Sequence, residues 1–528
     1  MIYLDQNIDL YNNDIRVMLQ AFFDNEKVVL SKEDTRLTLK AFFVYDTDVE
    51  IPSLQRGGYV TFTLTDEGGY SATATVVTDF MNKQLSRNPI KGKLYEMLSK
   101  YTGKTLPWGS LTGVRPTKIA TECLENGKGV EEIRKLYEDV YLTTKQKADI
   151  CIEVAGKEQE LFAGFDYENE YCIYVGVPFC PTRCLYCSFT SYPIAMYQDE
   201  ESKRESDDSK GDDEVEVSLK YNEVVQNTKK KNRLTVSDYI NALCKEIEAV
   251  ASSEIYRNKR LVAIYVGGGT PSALSAEQLS IVIEKLQSSF DMQYIREFCV
   301  ECGRPDSITE DKLKVLRELG VERISINPQT MSDETLKLIG RAHTVAQTKE
   351  AFTMARNAGF TNINMDMIVG LPGEDIEDVR HTLSEIYKLA PDSLTVHSLA
   401  IKRAANLNIE MEKYHNLIKG STNEMLMAVD ECARSLELEP YYLYRQKNIP
   451  GKLENIGYAA RGKECLYNVL IMEEKLDIIA MGAGASSKFV FRNEGRIERV
   501  ENVKNVEQYI ERIDEMIERK QKMFDIIK

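Results

Sequence analysis

The sequence predicts an α/β fold, a parallel sheet curled into an open or closed barrel and preceded by a separate α+β domain. Three observations predict it. From residue 169 onward, short apolar runs alternate with amphipathic helical stretches, the rhythm of strands joined by right-handed crossover helices. Over residues 1–168, β-like runs instead sit beside one another, interspersed with helical segments. Short glycine- and cysteine-bearing motifs follow the apolar runs of the second region, so a parallel sheet would gather them at one face, where such sheets bind ligands.

In chain order, residues 1–168 hold the β-like stretches "KVVLSKEDTRLTLKAFFVY" and "GGYVTFTLTDEGGYSATATVV" and the helical stretches "NPIKGKLYEMLSKYTGK" and "GVEEIRKLYEDVYL". Among them, "LPWGSLTGVRPTK" carries the only tryptophan, Trp108, and Arg115. It reads as a packed turn, with a place at the edge of an active site as the alternative. The second region offers six strands: "CIYVGVPF", "LVAIYVGGG", "EFCVECG", "RISINPQ", "NINMDMIVG" and "SLTVHSLAI". Helical patterns such as "SAEQLSIVIEKLQSSF" and "DIEDVRHTLSEIYKLA" separate them. One segment breaks the rhythm. Gln198–Arg233 is highly charged and poor in large apolar residues, so it cannot bury enough surface to offset its ordering entropy and reads as a solvated insertion.

The 528 residues suffice for two to four domains. The formal net charge of −16 argues against a general nucleic-acid or anionic-membrane partner, while leaving room for a local basic pocket. No apolar run reaches membrane-spanning length, and the first residues lack the basic start of a signal peptide. A cytoplasmic protein is expected, with most of its scattered cysteines as free thiols.

Three cysteines are not scattered. "VGVPFCPTRCLYCSF" places Cys180, Cys184 and Cys187 in a C-x3-C-x2-C spacing just after a strand. Structural zinc usually takes four ligands, commonly as two pairs, and no second Cys/His pair lies nearby. Three thiolates suit a [4Fe–4S] cluster with one iron left open to a small molecule. Zinc or chance spacing is the alternative. Tyr186 and Phe189 are placed to shield such a cluster from water.

These residues resemble the radical S-adenosylmethionine (SAM) superfamily, in which SAM chelates the open iron and is cleaved to methionine and a 5′-deoxyadenosyl radical. "YVGGGTPSAL", "LGVERISINPQTMSDETLKLIGRAHT", "NINMDMIVGLPGE" and "DIIAMGAGASS" are similar to the branch of oxygen-independent coproporphyrinogen dehydrogenases and HemW haem chaperones. "LPWGSLTGVRPTK" and "PYYLYRQKN" resemble HemZ-type proteins in particular. The resemblance implies a partial (β/α)6 TIM-like barrel over residues 169–402 and a C-terminal domain over 403–528. It also implies cofactor contacts by Tyr174, Gly268, Gly269, Thr270, Glu301 and Ser486 around a first SAM. Tyr186, Gln329, Arg341, Asp366 and Ala400 match contacts to a second SAM. Each has a plainer alternative: Gln329 and Asp366 as strand-end caps, Arg341 in a surface ion pair, the glycines in turns.

Two departures stand out. The dehydrogenases carry a further cysteine where this chain has Phe189, and the chaperones' H-N-x-x-Y-W corresponds to "ENIGYA", with Glu454 in place of histidine. Haem ligation through that motif is not expected. The resemblance implies oxidative decarboxylation of coproporphyrinogen III to protoporphyrinogen IX, with an electron donor such as flavodoxin or ferredoxin. A haem-trafficking protein, or a radical enzyme with another substrate, is the alternative. A substrate with four carboxylates needs cations. Lys402 and Arg445 are the candidate catalytic residues, with Arg403 and Lys447 beside them, and a solvated surface is the alternative for all four.

Overall fold

The computed structural model describes residues 1–23, 26–31, 35–45, 58–198, 234–402, 405–409, 411–418, 420–446 and 453–527. Of the charged insertion, residues 199–233 lie outside these, as do Arg403 and Lys447.

The N-terminal unit is a five-stranded sheet in the order β2-β1-β3-β4-β5, formed by β1 (Ile2–Gln6), β2 (Val28–Val29), β3 (Leu37–Tyr45), β4 (Gly58–Asp66) and β5 (Ser71–Val77). Alternation decides its faces. Val60, Phe62 and Leu64 of β4 are buried, and the residues between them are partly exposed. The buried face packs against helices Asn12–Phe22 and Lys83–Thr102 through Leu19, Phe22, Leu94 and Leu98.

The six strands expected in the second region all form and all run parallel: β6 (Glu170–Val177), β9 (Arg260–Gly268), β10 (Glu297–Glu301), β11 (Arg323–Ser325), β12 (Ile363–Val369) and β13 (Ser393–Ser398). Their runs are apolar because helices cover the sheet's outer face. A short parallel pair, β7 (Phe179–Cys180) and β8 (Tyr192–Pro193), brackets the cysteine loop.

A parallel sheet left open has two edges of unpaired backbone groups, and the C-terminal segment covers both. On one side β14 (Glu439–Arg445) and β15 (Glu454–Ala459) add antiparallel to β13. On the other, β16 (Asp477–Met481) adds parallel to β6, followed by antiparallel β17 (Ser486–Phe491) and β18 (Arg496–Glu501). The result is one eleven-stranded sheet, β14-β15-β13-β12-β11-β10-β9-β6-β16-β17-β18. The five strands β14 to β18 of the C-terminal segment thus extend the barrel sheet at both edges.

The fully buried residues of the N-terminal core run to Leu98, with Tyr101, Leu106 and Leu142 packed against them, whereas Trp108, Ala120, Tyr137 and Val154 belong to the core of the barrel. The helix Lys145–Phe162 packs against β14, so its apolar face finds its cover in the C-terminal segment. Trp108 sits in a packed turn, 2% exposed, as the plainer reading expected.

Candidate active site

The C-terminal ends of the parallel strands surround a cavity of about 680 Å³. Cys180, Cys184 and Cys187 all line it. Backbone bonds tie their loop to two neighbours: Leu185 N–H donates to Ile339 O at 2.9 Å, and Leu407 N–H to Leu185 O at 2.8 Å. Thr270 Oγ1 lies 3.3 Å from Cys180 Sγ, and Ser191 Oγ 3.8 Å from Cys187 Sγ. Arg304 Nη1 lies 3.6 Å from Cys184 Sγ, with the guanidinium held by Asp306 at 2.9 and 2.8 Å. Burial pushes the Cys180 thiol up to about 11 and raises Cys187 as well. A bound cation reverses that, because thiolates are the ligating form. Among the described residues no three His, Cys, Asp or Glu side chains converge tightly enough to hold a single ion. Three thiols lining one cavity, beside two hydroxyls and a buried guanidinium, suit thiolate ligation of a negatively charged iron–sulfur cluster.

The expected SAM contacts lie alongside. The loop after β9 is built for close backbone approach: a Cβ on Gly269 would stand 2.6 Å from Phe179 O, and Gly268 has φ +112°. Its backbone continues into Gly269 N–H to Val177 O (2.8 Å) and Thr270 N–H to Phe179 O (2.7 Å). Tyr174, Glu301 and Ser486 line the same cavity. Tyr174 stacks with Tyr265 and Tyr467 at centroid separations of 6.3 and 5.8 Å. The Tyr265 hydroxyl donates to Glu301, and burial raises the Glu301 carboxyl to about 7. The loop bearing Ser486 is fixed from behind. Fully buried Glu246 accepts from Gly482 N–H (2.8 Å), Tyr509 OH (2.6 Å) and Lys520 Nζ (2.6 Å).

The residues matched to a second SAM also share the cavity: Tyr186, Gln329, Arg341, Asp366 and Ala400. Arg341 is no surface ion pair. It is buried and donates to Tyr186 Oη (3.0 Å), Gly303 O (2.6 Å) and Asn327 O (2.9 Å). Asp366 is no strand cap either, since its two oxygens accept from Asn327 Nδ2 (2.8 Å) and Asn364 Nδ2 (2.6 Å). Gln329 takes the left-handed φ of +66°, a conformation that non-glycine residues rarely hold without surrounding constraint.

Of the two candidate cations, one is brought to the cavity and one is not. Lys402 lines it, with Nζ 5.6 Å from the Phe189 ring centroid. Arg445 faces away, which corrects its expected place at the substrate. Side chains alternate along β14. Tyr442 and Tyr444 line the cavity, so Arg445 points to the other face, where it donates to Leu111 O at 2.7 Å and lies 5.2 Å from the Trp108 ring. Phe189 lines the same cavity, two residues after Cys187, and is 66% exposed.

Sequence reading passed over Arg304, Tyr265, Asn327 and His397, all of which line the cavity. Arg304 stood in the strand-end motif "ECGRP" and Asn327 in "NPQT". Tyr265 and His397 occupy alternate positions within strands, visible only once the inward face is known.

Comparisons with known proteins bear on these residues. The pattern of the Radical SAM superfamily matches residues 174–386. The chain is 37% identical over 443 residues, 84% of its length and 81% of the relative's, to the oxygen-independent coproporphyrinogen-III oxidase-like protein HemZ of Bacillus subtilis. It is 31% identical over 234 residues to the haem chaperone HemW of the same organism, covering 43% of this chain and half of that one. Among solved structures, the coproporphyrinogen III oxidase HemN of Escherichia coli matches with a TM-score of 0.45 at 20% identity, over 68% of this chain and 72% of that one.

Proposed function

The chain belongs to the radical SAM superfamily and, within it, to the HemZ-type proteins, and on that premise we propose that it decarboxylates coproporphyrinogen III oxidatively without oxygen. The product is protoporphyrinogen IX. The observation that carries this reading is one cavity lined by three thiols, by Lys402 and by the polar side chains at the ends of the parallel strands. In each of two propionates the β-carbon loses a hydrogen atom, the carboxylate leaves as CO2, and one electron passes to an acceptor, which leaves a vinyl group.

A [4Fe–4S] cluster with SAM supplies, when bound, the radical that takes that hydrogen atom. Everything else falls to the protein. Cys180, Cys184 and Cys187 would hold the cluster, and Arg304 would offset charge at Cys184. Gly268, Gly269, Thr270, Glu301 and Ser486 would hold SAM, and Tyr186, Gln329, Arg341, Asp366 and Ala400 would hold a second one. Lys402 faces a substrate carboxylate, and the tyrosine stack of Tyr174, Tyr265 and Tyr467 keeps water from the reacting carbon. A small cytoplasmic carrier such as flavodoxin or ferredoxin supplies electrons to the cluster.

The likeness to HemW favours a second reading, haem trafficking. Glu454 weighs against it: the side chain at the chaperones' histidine position is a buried carboxylate engaged by Lys147 and Trp108.

The test is an anaerobic assay of the reconstituted protein with coproporphyrinogen III, SAM and a one-electron reductant, read by mass spectrometry. Equal amounts of CO2 and 5′-deoxyadenosine are expected. Deoxyadenosine without CO2, with every electron acceptor tried, would reject the assignment.

A further inference from the structure

We infer that Tyr444, backed by Tyr442, is the platform on which a pyrrole ring of the substrate stacks while a propionate reacts. This deepens the proposed function and rests on it. Both tyrosines line the cavity. Tyr442 is buried and Tyr444 partly exposed. Their rings are nearly parallel, at 11°, with centroids 6.3 Å apart. Gln446 Nε2 donates to the Tyr444 hydroxyl at 3.5 Å. Two features of the fold present the pair to the cavity. Between Pro440 and Tyr442, β14 carries one residue more than β15 opposite it. A slip of one residue exchanges the two faces of a strand, so this bulge decides that the tyrosines turn inward. Gly457 stands opposite Tyr442, and a Cβ there would collide with the Tyr442 ring. The glycine leaves that ring its place across β15.

The place of the pair in the sheet points to substrate rather than cofactor. None of the residues matched to either SAM lies on β14 or β15. Tyr174, Gly268, Glu301 and Asp366 belong to the parallel strands, and Ser486 to β17 on the far flank of the sheet. The flank made by β14 and β15 nonetheless faces the same cavity, through Tyr442, Tyr444 and Asn455. In a porphyrinogen, saturated carbons join the pyrroles, so each ring tilts separately and offers its own π-face. An aromatic side chain accepts such a face whatever substituents the ring carries. The first decarboxylation removes a carboxylate that a cation such as Lys402 can hold, and it leaves the π-face as it was. Stacking therefore carries a larger share of the binding of the singly decarboxylated intermediate, and Tyr444 keeps that intermediate in place for the second reaction.

The adenine of SAM has a π-face too, so the experiment separates the two ligands. Cluster-reconstituted protein is titrated anaerobically with coproporphyrinogen III and with SAM, in the wild type, Tyr444→Phe, Tyr444→Leu and Tyr444→Met, and the products of turnover are read by mass spectrometry. Tyr444→Phe keeps the π-face and should bind the porphyrinogen within about twofold of the wild type. Tyr444→Leu and Tyr444→Met remove it and should bind about tenfold more weakly, the worth of one aromatic contact. Both aliphatic variants should also release more of the singly decarboxylated intermediate, with bound SAM and iron unchanged. Either of them suffices if the other fails to fold. Wild-type affinity in a folded aliphatic variant overturns the inference. So does a Tyr444→Phe protein as weak as Tyr444→Leu, which would assign the contact to the hydroxyl. Loss of one SAM equivalent with porphyrinogen affinity intact overturns it as well, because the platform would then belong to adenine. A wild type that binds no coproporphyrinogen III rejects the proposed function itself, a result distinct from all of those.

Discussion

Trp108 donates its indole N–H to Glu454 Oε2 at 2.7 Å, which joins two segments 346 residues apart in sequence. The other oxygen of Glu454 is paired with Lys147, and both charged side chains are almost fully buried, at 1% and 2% exposure. Arg445 lies over the same indole ring and donates to Leu111 O. The turn around Trp108 is therefore clamped to β14 and β15, the strands that cover one edge of the barrel.

Glu454→Ala should be strongly destabilising. It strands the Lys147 ammonium in the core and leaves the Trp108 N–H without an acceptor, a loss of about 3–5 kcal/mol. Chemical denaturation of the wild type and the variant would measure it. Replacement of the pair together, as Lys147→Met/Glu454→Leu, should recover much of that loss, because no charge is then left unpaired. A Glu454→Ala protein as stable as the wild type would mean that the pair is solvated in solution.

Arg445 and Lys402 should separate cleanly. Arg445→Ala loses a stacked, hydrogen-bonded guanidinium in the turn around Trp108, so it should lower stability by about 1–3 kcal/mol and leave KM for porphyrinogen unchanged. Lys402→Ala should do the reverse: near wild-type unfolding, with KM raised about tenfold, as for one lost charge-assisted contact. Steady-state kinetics beside thermal unfolding would show both. A raised KM in the Arg445 variant would return that residue to the substrate.

Arg445 also shows where sequence reading stopped. "YYLYRQKN" marks a strand rich in aromatic residues, and a cation in it is a fair guess for an anionic substrate. Which of two alternating faces turns inward depends on the pairing of β14 with β15, and that pairing carries a register shift between Pro440 and Tyr442. No local pattern encodes it. The same holds for the edges of the sheet. Each of the six parallel strands announces itself as an apolar run, but nothing in "DIIAMGAGASS" says that it lies beside β6, some 300 residues earlier, rather than beside the strand before it. The cluster site was legible because three thiols at close spacing express their chemistry locally. Arg304 was not, since its contact with Cys184 bridges 120 residues.

Cys184→Ala should leave too few thiolates to retain the cluster. Anaerobic reconstitution should load about four irons into the wild type, while the variant loses most of that iron and the accompanying visible absorbance. Cys432→Ala, on the helix Asn423–Ser435 and outside the cavity, is the matched control and should load normally. Equal iron in both variants would remove Cys184 from the ligand set.

The pH dependence of SAM binding tests Glu301. Burial raises its carboxyl to about 7, above an ordinary glutamate, because the charged form has lost its water. A raised acid pKa means that the folded protein holds this proton more tightly than the unfolded chain. Stability contributed by Glu301 is therefore full below about 4.5 and falls as pH rises to about 7. Ligand binding runs the other way. If Glu301 meets the ribose of SAM, its ionised carboxylate would accept from both hydroxyls, whereas the protonated form spends one oxygen as a donor. SAM affinity of the cluster-loaded protein should rise by about tenfold between pH 6 and pH 8, the gain from one charge-assisted hydrogen bond. The SAM amino group titrates over part of the same range, so Glu301→Gln supplies the baseline: the ratio of wild-type to variant affinity should climb through pH 7. A ratio that stays flat would show either that Glu301 does not touch the ligand or that it is already ionised at pH 6, and the stability profile of the ligand-free protein separates the two. A slope between pH 4.5 and 7 that vanishes in Glu301→Gln establishes the raised carboxyl whatever SAM does.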